Sequence, residues 1–210
     1  MKNTTKIFSL AILLLFTTNA FSQSSRFGVK AGLNMSNMTL ENSDDSNLKF
    51  GLHAGVFNKI AITDRFAIQP ELLYSSKGLK NEYDNVGADG EVKFNLNYID
   101  LPVKLVFNLA EDFTFQFGPY VGYLVNANVD TDAEVLGFFD VDSQDNLDRD
   151  KFNALDFGLT GGLGFDFDPL VVGFNYNLGL SQVAKDGEAT AVMLGDARNT
   201  VIQIYAGILF

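Results

Sequence analysis

Residues 113–125 read "FTFQFGPYVGYLV", and every second residue is apolar while most of those between are small or uncharged. Alternation with period two is typical of a β-strand whose two faces meet different environments. The apolar face contacts either the dry core of a soluble protein or the hydrocarbon of a membrane. The stretch by itself predicts a strand and leaves both environments open.

The composition favours a single β domain. The 210 residues include 20 Phe, 19 Gly and only 4 Pro, a mixture that suits twisted sheets better than helices or disorder. The length fits one domain. Cysteine is absent, which excludes disulfides, thiol catalysis and thiolate metal sites.

The N-terminus predicts a cleaved signal peptide at residues 1–22, followed by a β-barrel domain at residues 23–210. Lys2 and Lys6 precede an apolar run at residues 7–16, and this run is too short to span a membrane as a helix. Residues 1–22 hold 2 of the 15 basic residues and none of the 26 acidic ones, so their removal changes the formal net charge from −11 to −13. Binding to nucleic acid is therefore not expected.

The remaining chain contains eight segments that alternate with period two, at 26–36, 49–61, 66–77, 93–108, 113–127, 155–167, 170–182 and 200–210. Their lengths suit the roughly ten residues that a membrane-crossing strand needs. The connections alternate between short turns at 63–65, 110–112 and 168–169 and long polar segments at 37–48, 78–92, 128–154 and 183–199. This pattern predicts an all-β fold, an eight-stranded antiparallel up-and-down transmembrane β-barrel with short periplasmic turns and long extracellular loops.

The two faces of these segments differ in charge. One face is apolar and uncharged throughout, whereas the other is polar, rich in Gly and thinly charged. A solvated outer face would carry many Lys and Glu residues, so the polar face indicates an enclosed lumen and the apolar face indicates lipid. The predicted lumen polar network consists of Lys30, His53, Glu71, Asp100, Lys104 and Asp156. Within it, Lys30 or Lys104 is expected to pair with Glu71, Asp100 or Asp156.

Prolines interrupt three of the predicted strands. Pro70, Pro102 and Pro119 each remove a ladder donor, and they lie at a similar height, which predicts local bulges there. The alternation also shifts at Tyr98 and Ile99, which predicts a bulge in the fourth strand.

Five stretches recur in the order and spacing of a known family: "FGVKAGLNMSNM" (27–38), "PELLYSSKG" (70–78), "YIDLPVKL" (98–105), "DFGLTGGLGF" (156–165) and "IYAGILF" (204–210). Together they resemble the outer-membrane β-barrel domain family of Bacteroidetes, often called the porin family or PorT type. The resemblance covers essentially the whole mature chain. It implies an eight-stranded barrel in the bacterial outer membrane, with Phe210 as an assembly signal for the barrel-assembly machinery. Most members have no assigned activity, and the secretion role of the protein that names the PorT type is not transferred.

His53 is the only histidine. One interpretation makes it a general base, as in outer-membrane lipid-modifying enzymes that place a His near a Ser and an acid. No such partners are visible at a matching height, which favours a hydrogen-bonded lumen histidine.

The segment 140–150, "DVDSQDNLDRD", opens like an EF-hand loop. It departs from that motif at Asp145, where Gly is needed, and at Lys151, where the bidentate Glu belongs. A solvated loop is therefore favoured over a weak divalent-cation site that could bridge to lipopolysaccharide. The residues of that weak site would be Asp140, Asp142, Asp145, Asp148 and Asp150.

These observations predict a non-enzymatic integral outer-membrane protein, without a cofactor, whose polar lumen is filled by side chains. Its expected role is envelope structure or surface interaction through acidic extracellular loops. The expected partners are outer-membrane lipid, lipopolysaccharide and the assembly machinery, and the expected state is a monomer. The alternatives are a secreted lipocalin-like barrel that binds a small apolar ligand, a narrow porin, and a barrel enzyme acting on lipids or peptides. Eight strands enclose a space that side chains can fill, which favours a packed network over a pore.

Overall fold

The computed structural model describes residues 25–39, 48–85, 88–135, 139–146, 152–185 and 197–210. These residues form nine strands: β1 Ser25–Thr39, β2 Lys49–Thr63, β3 Phe66–Asn85, β4 Ala88–Asn108, β5 Phe113–Val135, β6 Phe139–Asn146, β7 Leu155–Phe167, β8 Leu170–Gly179 and β9 Arg198–Leu209. Within the described ranges, no helix is long and apolar enough to cross a membrane.

Eight of the nine strands close into an antiparallel barrel. Their order is β4-β3-β2-β1-β9-β8-β7-β5, and β5 pairs back with β4. Closure gives every barrel strand two neighbours, as a bilayer requires, because hydrocarbon offers backbone groups no other partner. The predicted eight-stranded up-and-down barrel is confirmed. Among the described strands, β6 pairs only with β5.

Short connections lie at one end of the barrel, which we call the turn end. They join β2 to β3, β4 to β5, and β7 to β8, as predicted from the sequence. The opposite end is called the hairpin end, because β3, β4, β5 and β6 continue there as a projecting sheet. This projecting sheet comprises residues 78–85, 88–95, 128–135 and 139–146.

The prediction of long loops at 78–92 and 128–154 is wrong wherever the projecting sheet occupies them. β3 and β4 pair as far as Asn85 and Ala88. Strands beyond the lipid do not need an apolar face, so the alternation that marks membrane strands is missing there. Gly78 lies where β3 leaves the barrel, and its φ of 143° is a conformation that glycine adopts readily.

The outer surface of the barrel is apolar along the strands. Phenylalanine rings form contacts near the turn end: the centroids of Phe66 and Phe107 lie 5.4 Å apart, those of Phe107 and Phe115 6.3 Å, and those of Phe113 and Phe165 5.0 Å. Aromatic girdles of this kind are typical of barrel positions at a membrane interface. The outer face therefore has the chemistry that lipid contact requires.

The prolines leave the strand register unchanged. Pairing is interrupted for two positions near each of Pro70, Pro102 and Pro119, yet the same register resumes on the other side. The predicted bulges at these prolines are therefore wrong. A missing N–H removes ladder hydrogen bonds without inserting a residue into the strand.

A bulge does occur where the alternation shifts. Asn97 pairs with Asn126 and Tyr98 pairs with Leu124, which leaves Val125 as the extra residue. The height of this bulge was predicted correctly. The prediction placed it in the fourth strand, whereas the extra residue belongs to β5.

Candidate functional site

Two clusters of buried ions fill the barrel, and the first lies toward the turn end. In this turn-side cluster, Glu71 accepts hydrogen bonds from Lys30 Nζ at 2.6 Å and from Lys104 Nζ at 3.0 Å, and all three side chains are buried. Gln69 Nε2 donates to the same carboxylate at 2.7 Å. The ring of Tyr205 lies 4.6 Å from Lys30 Nζ, a favourable cation–π distance. Two ammonium groups share one carboxylate, so the formal charge of the cluster is +1.

The hairpin-side cluster reverses this arrangement. Lys77 Nζ donates to Asp100 at 2.9 Å and to Asp156 at 3.0 Å, and the lysine side chain is fully buried. The rings of Tyr98 and Tyr120 lie 4.7 and 4.8 Å from the same Nζ. The formal charge here is −1, which offsets that of the turn-side cluster. An isolated charge inside a barrel would be costly, and each ion here has a direct partner.

Lys77 is the residue that the sequence reasoning missed. It lies on β3 in the same alternation as Glu71, six positions further along the strand, and this spacing was a usable signal. It stands at the last position of the predicted strand 66–77, next to the polar segment 78–92. Of the pairings predicted for Lys30 and Lys104, those with Glu71 are present. Those with Asp100 or Asp156 are wrong, because Lys77 pairs with both carboxylates.

A neutral network separates the two clusters, and Asn34 lies at its centre. Asn34 Nδ2 donates to Ser75 Oγ at 3.0 Å, while its Oδ1 accepts from Gln203 Nε2 at 3.1 Å and lies 2.8 Å from His53 Nδ1. Because the amide oxygen is only an acceptor, His53 Nδ1 must be the donor. His53 Nε2 is buried and has no hydrogen-bond partner within the described part of the chain.

The catalytic interpretation of His53 finds no partners among the described side chains. Asn34 is the side chain that bonds its ring, and neither a serine hydroxyl nor a carboxylate joins it within the described residues. A nucleophile and an acid within hydrogen-bond reach are what a general base of this type needs. The geometry therefore fits a structural histidine.

The hairpin end of the interior is apolar, unlike the polar lumen that the sequence predicted. The apolar cap, as we name it, consists of Leu79, Leu96, Tyr98, Leu124, Ala127, Phe152, Val183, Ala184 and Ala197. Segments 152–154 and 180–185 contribute to it by folding across the mouth: Phe152 and Ala184 form a β-bridge, and Asn153 N donates to Val183 O at 3.0 Å. The period-two pattern does not predict this arrangement: it leaves 152–154 and 183–185 outside the strands, and it wrongly assigns 180–182 to the strand 170–182, which ends at Gly179.

The cap and the hairpin-side cluster are directly connected. Asp156 accepts from Ser181 Oγ at 3.0 Å and from Asn199 Nδ2 at 3.2 Å. Tyr98 belongs to the cap and also lies over Lys77. The mouth segments are therefore held by both apolar packing and charge-assisted hydrogen bonds.

One cavity among the described residues lies inside the barrel, and it is small. Near the turn end, an interior cavity bordered by Lys30, Gln69, Gln116 and Tyr205 has a volume of about 10 Å³. A volume of that size holds about one water molecule. In the described part of the barrel, the two ion clusters, the Asn34 network and the apolar cap place buried side chains at successive heights of the interior.

The structure places all six residues of the predicted lumen network inside the barrel. Their positions also overturn the lipocalin-like alternative, which needs the apolar face of the sheet inside. Phe117 and Phe157 are instead 43% and 51% exposed on the outside, whereas Lys30 is 4% and Glu71 1% exposed. Phe210 is 71% exposed at the end of the chain, and its backbone N donates to Phe27 O at 2.7 Å.

The predicted cation loop is only partly described. Asp140, Asp142 and Asp145 belong to β6, where only the backbone is described, while Asp148 and Asp150 lie outside the described residues. The prediction that the first three residues belong to a loop is wrong. Their binding of divalent cations stays a prediction. The predicted signal peptide, residues 1–22, also lies outside the described residues.

Comparison with known proteins gives one family match. Residues 21–185 match the model of the outer membrane protein beta-barrel domain. A search of curated protein sequences found no match.

Several solved structures are distantly similar. Ail, the attachment invasion locus protein of Yersinia pestis, is 12% identical with a TM-score of 0.45, and the match covers 90% of this chain and 100% of that one. Neisserial surface protein A is 13% identical with a TM-score of 0.41 over 89% and 97% of the two chains. The N-terminal β-barrel domain of Pseudomonas aeruginosa OprF is 10% identical with a TM-score of 0.33 over 87% and 97%.

Proposed function

The chain belongs to the outer membrane protein beta-barrel domain family and is located in the bacterial outer membrane, and we propose that it is a non-conducting, non-enzymatic surface protein. In this proposal the barrel is an anchor that holds the projecting sheet outside the cell. The role is surface interaction or envelope structure, carried out at the hairpin end.

The observation that carries this proposal is the packed interior. A water-filled pore needs a continuous open path, and here three layers lie in series: the turn-side cluster, the hairpin-side cluster and the apolar cap. Within each cluster, the charged groups form ion pairs with one another. This packing supports an anchor over the narrow-porin alternative.

Planar-bilayer recording tests the absence of conduction. We expect the purified protein to leave the bilayer current at its baseline, while a general porin inserted under the same conditions opens steps. Reproducible current steps from the wild-type protein would contradict the proposal.

The sidedness follows from a general property of outer-membrane barrels, in which short turns face the periplasm and long connections face outward. It can be tested by labelling, because the chain contains no cysteine. A Ser143→Cys variant in β6 should react with a membrane-impermeant maleimide on intact cells. A Glu111→Cys variant at the turn end should react only after the outer membrane is permeabilised.

The absence of enzymatic activity is supported by the surroundings of His53. A His53→Gln variant should leave the lipid A and protease profiles of the cell unchanged. We further propose that the barrel contacts lipid and lipopolysaccharide as a monomer, and that the barrel-assembly machinery inserts it.

A further inference from the structure

The register of the projecting sheet places acidic residues in two rows. Residues that pair directly across antiparallel strands share one face of the sheet, and so do residues two positions apart along a strand. The first row consists of Glu82, Glu91, Asp132 and Asp142, and the second consists of Asp84, Asp89, Glu134 and Asp140. Each row contains one acidic residue from each of β3, β4, β5 and β6.

The opposite face is uncharged at the corresponding positions. The rows that alternate with the acidic ones consist of Asn81, Val92, Thr131 and Ser143, of Tyr83, Gly90, Ala133 and Val141, and of Asn85, Ala88, Val135 and Phe139. The eight acidic residues are therefore confined to one face. Adjacent strands lie about 5 Å apart and alternate residues about 7 Å apart, so the acidic positions form a compact grid.

The next row on the same face consists of Lys80, Lys93, Asp130 and Gln144, so basic residues accompany the acidic rows on β3 and β4 but not on β5 and β6. No Lys or Arg occurs between Val129 and Asn146. Like charges directly opposite each other in a sheet are destabilising, and here they face each other across three successive ladders. A cationic partner at the end of the rows would offset this repulsion.

β6 supplies an independent feature, an edge that is open as far as the described strands are concerned. It pairs with β5 over its whole length, from Asn128↔Asn146 to Val135↔Phe139, and no other described strand pairs with its second edge. An open edge presents a row of backbone donors and acceptors to an extended segment of another chain. The acidic rows end at this edge, at Asp140 and Asp142.

We propose that the open edge of β6 binds an extended basic segment of another protein as an added strand. Basic residues at alternate positions of that segment continue the two acidic rows beyond Asp142 and Asp140, while its backbone pairs with β6. The recognised pattern is thus a strand with Lys or Arg at every second position. This inference rests on the proposed surface role of the hairpin end.

The probe is a synthetic peptide of alternating Lys and Val residues with the length of β6, 8 residues. Its affinity for the full-length protein in detergent micelles is measured by calorimetry. A peptide of equal composition with paired Lys and paired Val residues is the control for charge alone. We expect the alternating peptide to bind at least about tenfold more tightly, because only its basic residues share one face of a strand. Equal binding of the two peptides would overturn the proposal.

Three variants locate the site. The double variant Asp140→Asn/Asp142→Asn removes the row ends at the open edge and should weaken binding about tenfold, as expected for two exposed ion pairs. Glu82→Gln/Asp84→Asn removes the same rows at the opposite edge, and Asp145→Asn removes a β6 charge from the other face. We expect less than about threefold change for each of these two. Equal losses in all three variants would mean non-specific attraction and overturn the proposal.

The strand-addition proposal can fail without the proposed surface function failing. If Ser143→Cys is labelled on intact cells and the protein does not conduct, the surface role stands even when no peptide binds, and the strand-addition proposal alone fails. If Ca²⁺ binds to the acidic rows while the alternating peptide does not, the occupant is a cation and the proposal is likewise wrong.

Discussion

Lys77 is the side chain whose removal tests the charge arrangement most directly. The variant Lys77→Met keeps most of the volume but removes the cation that Asp100 and Asp156 share. The two carboxylate oxygens both lie within 3.0 Å of Lys77 Nζ, so they are no more than about 6 Å apart. At that distance, and with an effective dielectric constant of about 20, their mutual repulsion is about 3 kcal/mol.

The total cost includes the lost attraction as well. Removing one partner from a buried ion pair costs about 3 to 5 kcal/mol, because the remaining charge is left without compensation. Protonation of one aspartate would remove the repulsion between the two carboxylates. At pH 7 this protonation costs about 4 kcal/mol for a carboxyl with an ordinary pKa of about 3.9. We therefore expect Lys77→Met to lower the free energy of unfolding by about 3 to 5 kcal/mol at pH 7.

Urea titration of the protein in lipid vesicles measures this loss. The chain has no Trp, so unfolding is followed by circular dichroism and by heat-modifiable migration on gels. The variant Lys77→Met/Asp100→Asn/Asp156→Asn is the compensated control and should recover most of the loss, since a neutral set of similar volume leaves no uncompensated charge.

A second control removes a partly exposed pair. Lys59 and Asp166 lie 2.5 Å apart near the turn end, where their side chains are 16% and 24% exposed. Lys59→Met should cost less than about 1 kcal/mol. If Lys77→Met costs no more than Lys59→Met, or if the compensated variant is as unstable as Lys77→Met, the reasoning is refuted.

Three further predictions address the outer face, the cap and assembly. Phe117→Lys places a charge on the lipid face and should lower the free energy of unfolding in vesicles by about 2 to 4 kcal/mol. Leu109→Lys in a turn should lower it by less than about 1 kcal/mol. Equal losses would contradict a lipid-facing Phe117. Leu96→Ala in the apolar cap should lower the free energy of unfolding by about 2 to 5 kcal/mol. Bilayer recordings of this variant should nevertheless stay at baseline, because the ion clusters still fill the barrel. Current steps from the variant would contradict this. Phe210→Ala should lower the amount of assembled protein in cells. The refolded variant should keep its free energy of unfolding within about 1 kcal/mol of the wild type, because an exposed side chain contributes little. A larger loss of stability would show that Phe210 acts through folding.

The sequence predicted the barrel well because the membrane imposes a strict rule on each strand. Lipid requires an uncharged outer face on every strand, so the alternation repeats eight times and β7, Leu155–Phe167, was predicted at its observed bounds. Beyond the membrane this rule no longer applies. The strand extensions 79–85 and 128–135 pair through their backbones beyond the predicted strands, and the sequence predicts loops there.

The interior was predicted by residue but only partly by partner. Alternation assigns Lys30, Glu71 and Asp156 to the inner face, since a side chain on a strand has only two directions. It does not determine the distances between inward side chains on different strands. Those depend on register, which pairs Lys77 rather than Lys104 with Asp100 and Asp156.

By itself, therefore, the sequence determined a closed sheet with an apolar outside and a polar inside, because period-two patterning is a local property that each strand carries alone. Only the tertiary structure decided the two ion clusters of opposite charge, the apolar cap and the acidic rows of the projecting sheet. Each of these brings together residues from three or more strands or mouth segments. Their proximity is set by strand order, register and chain reversal, which are properties of the whole barrel.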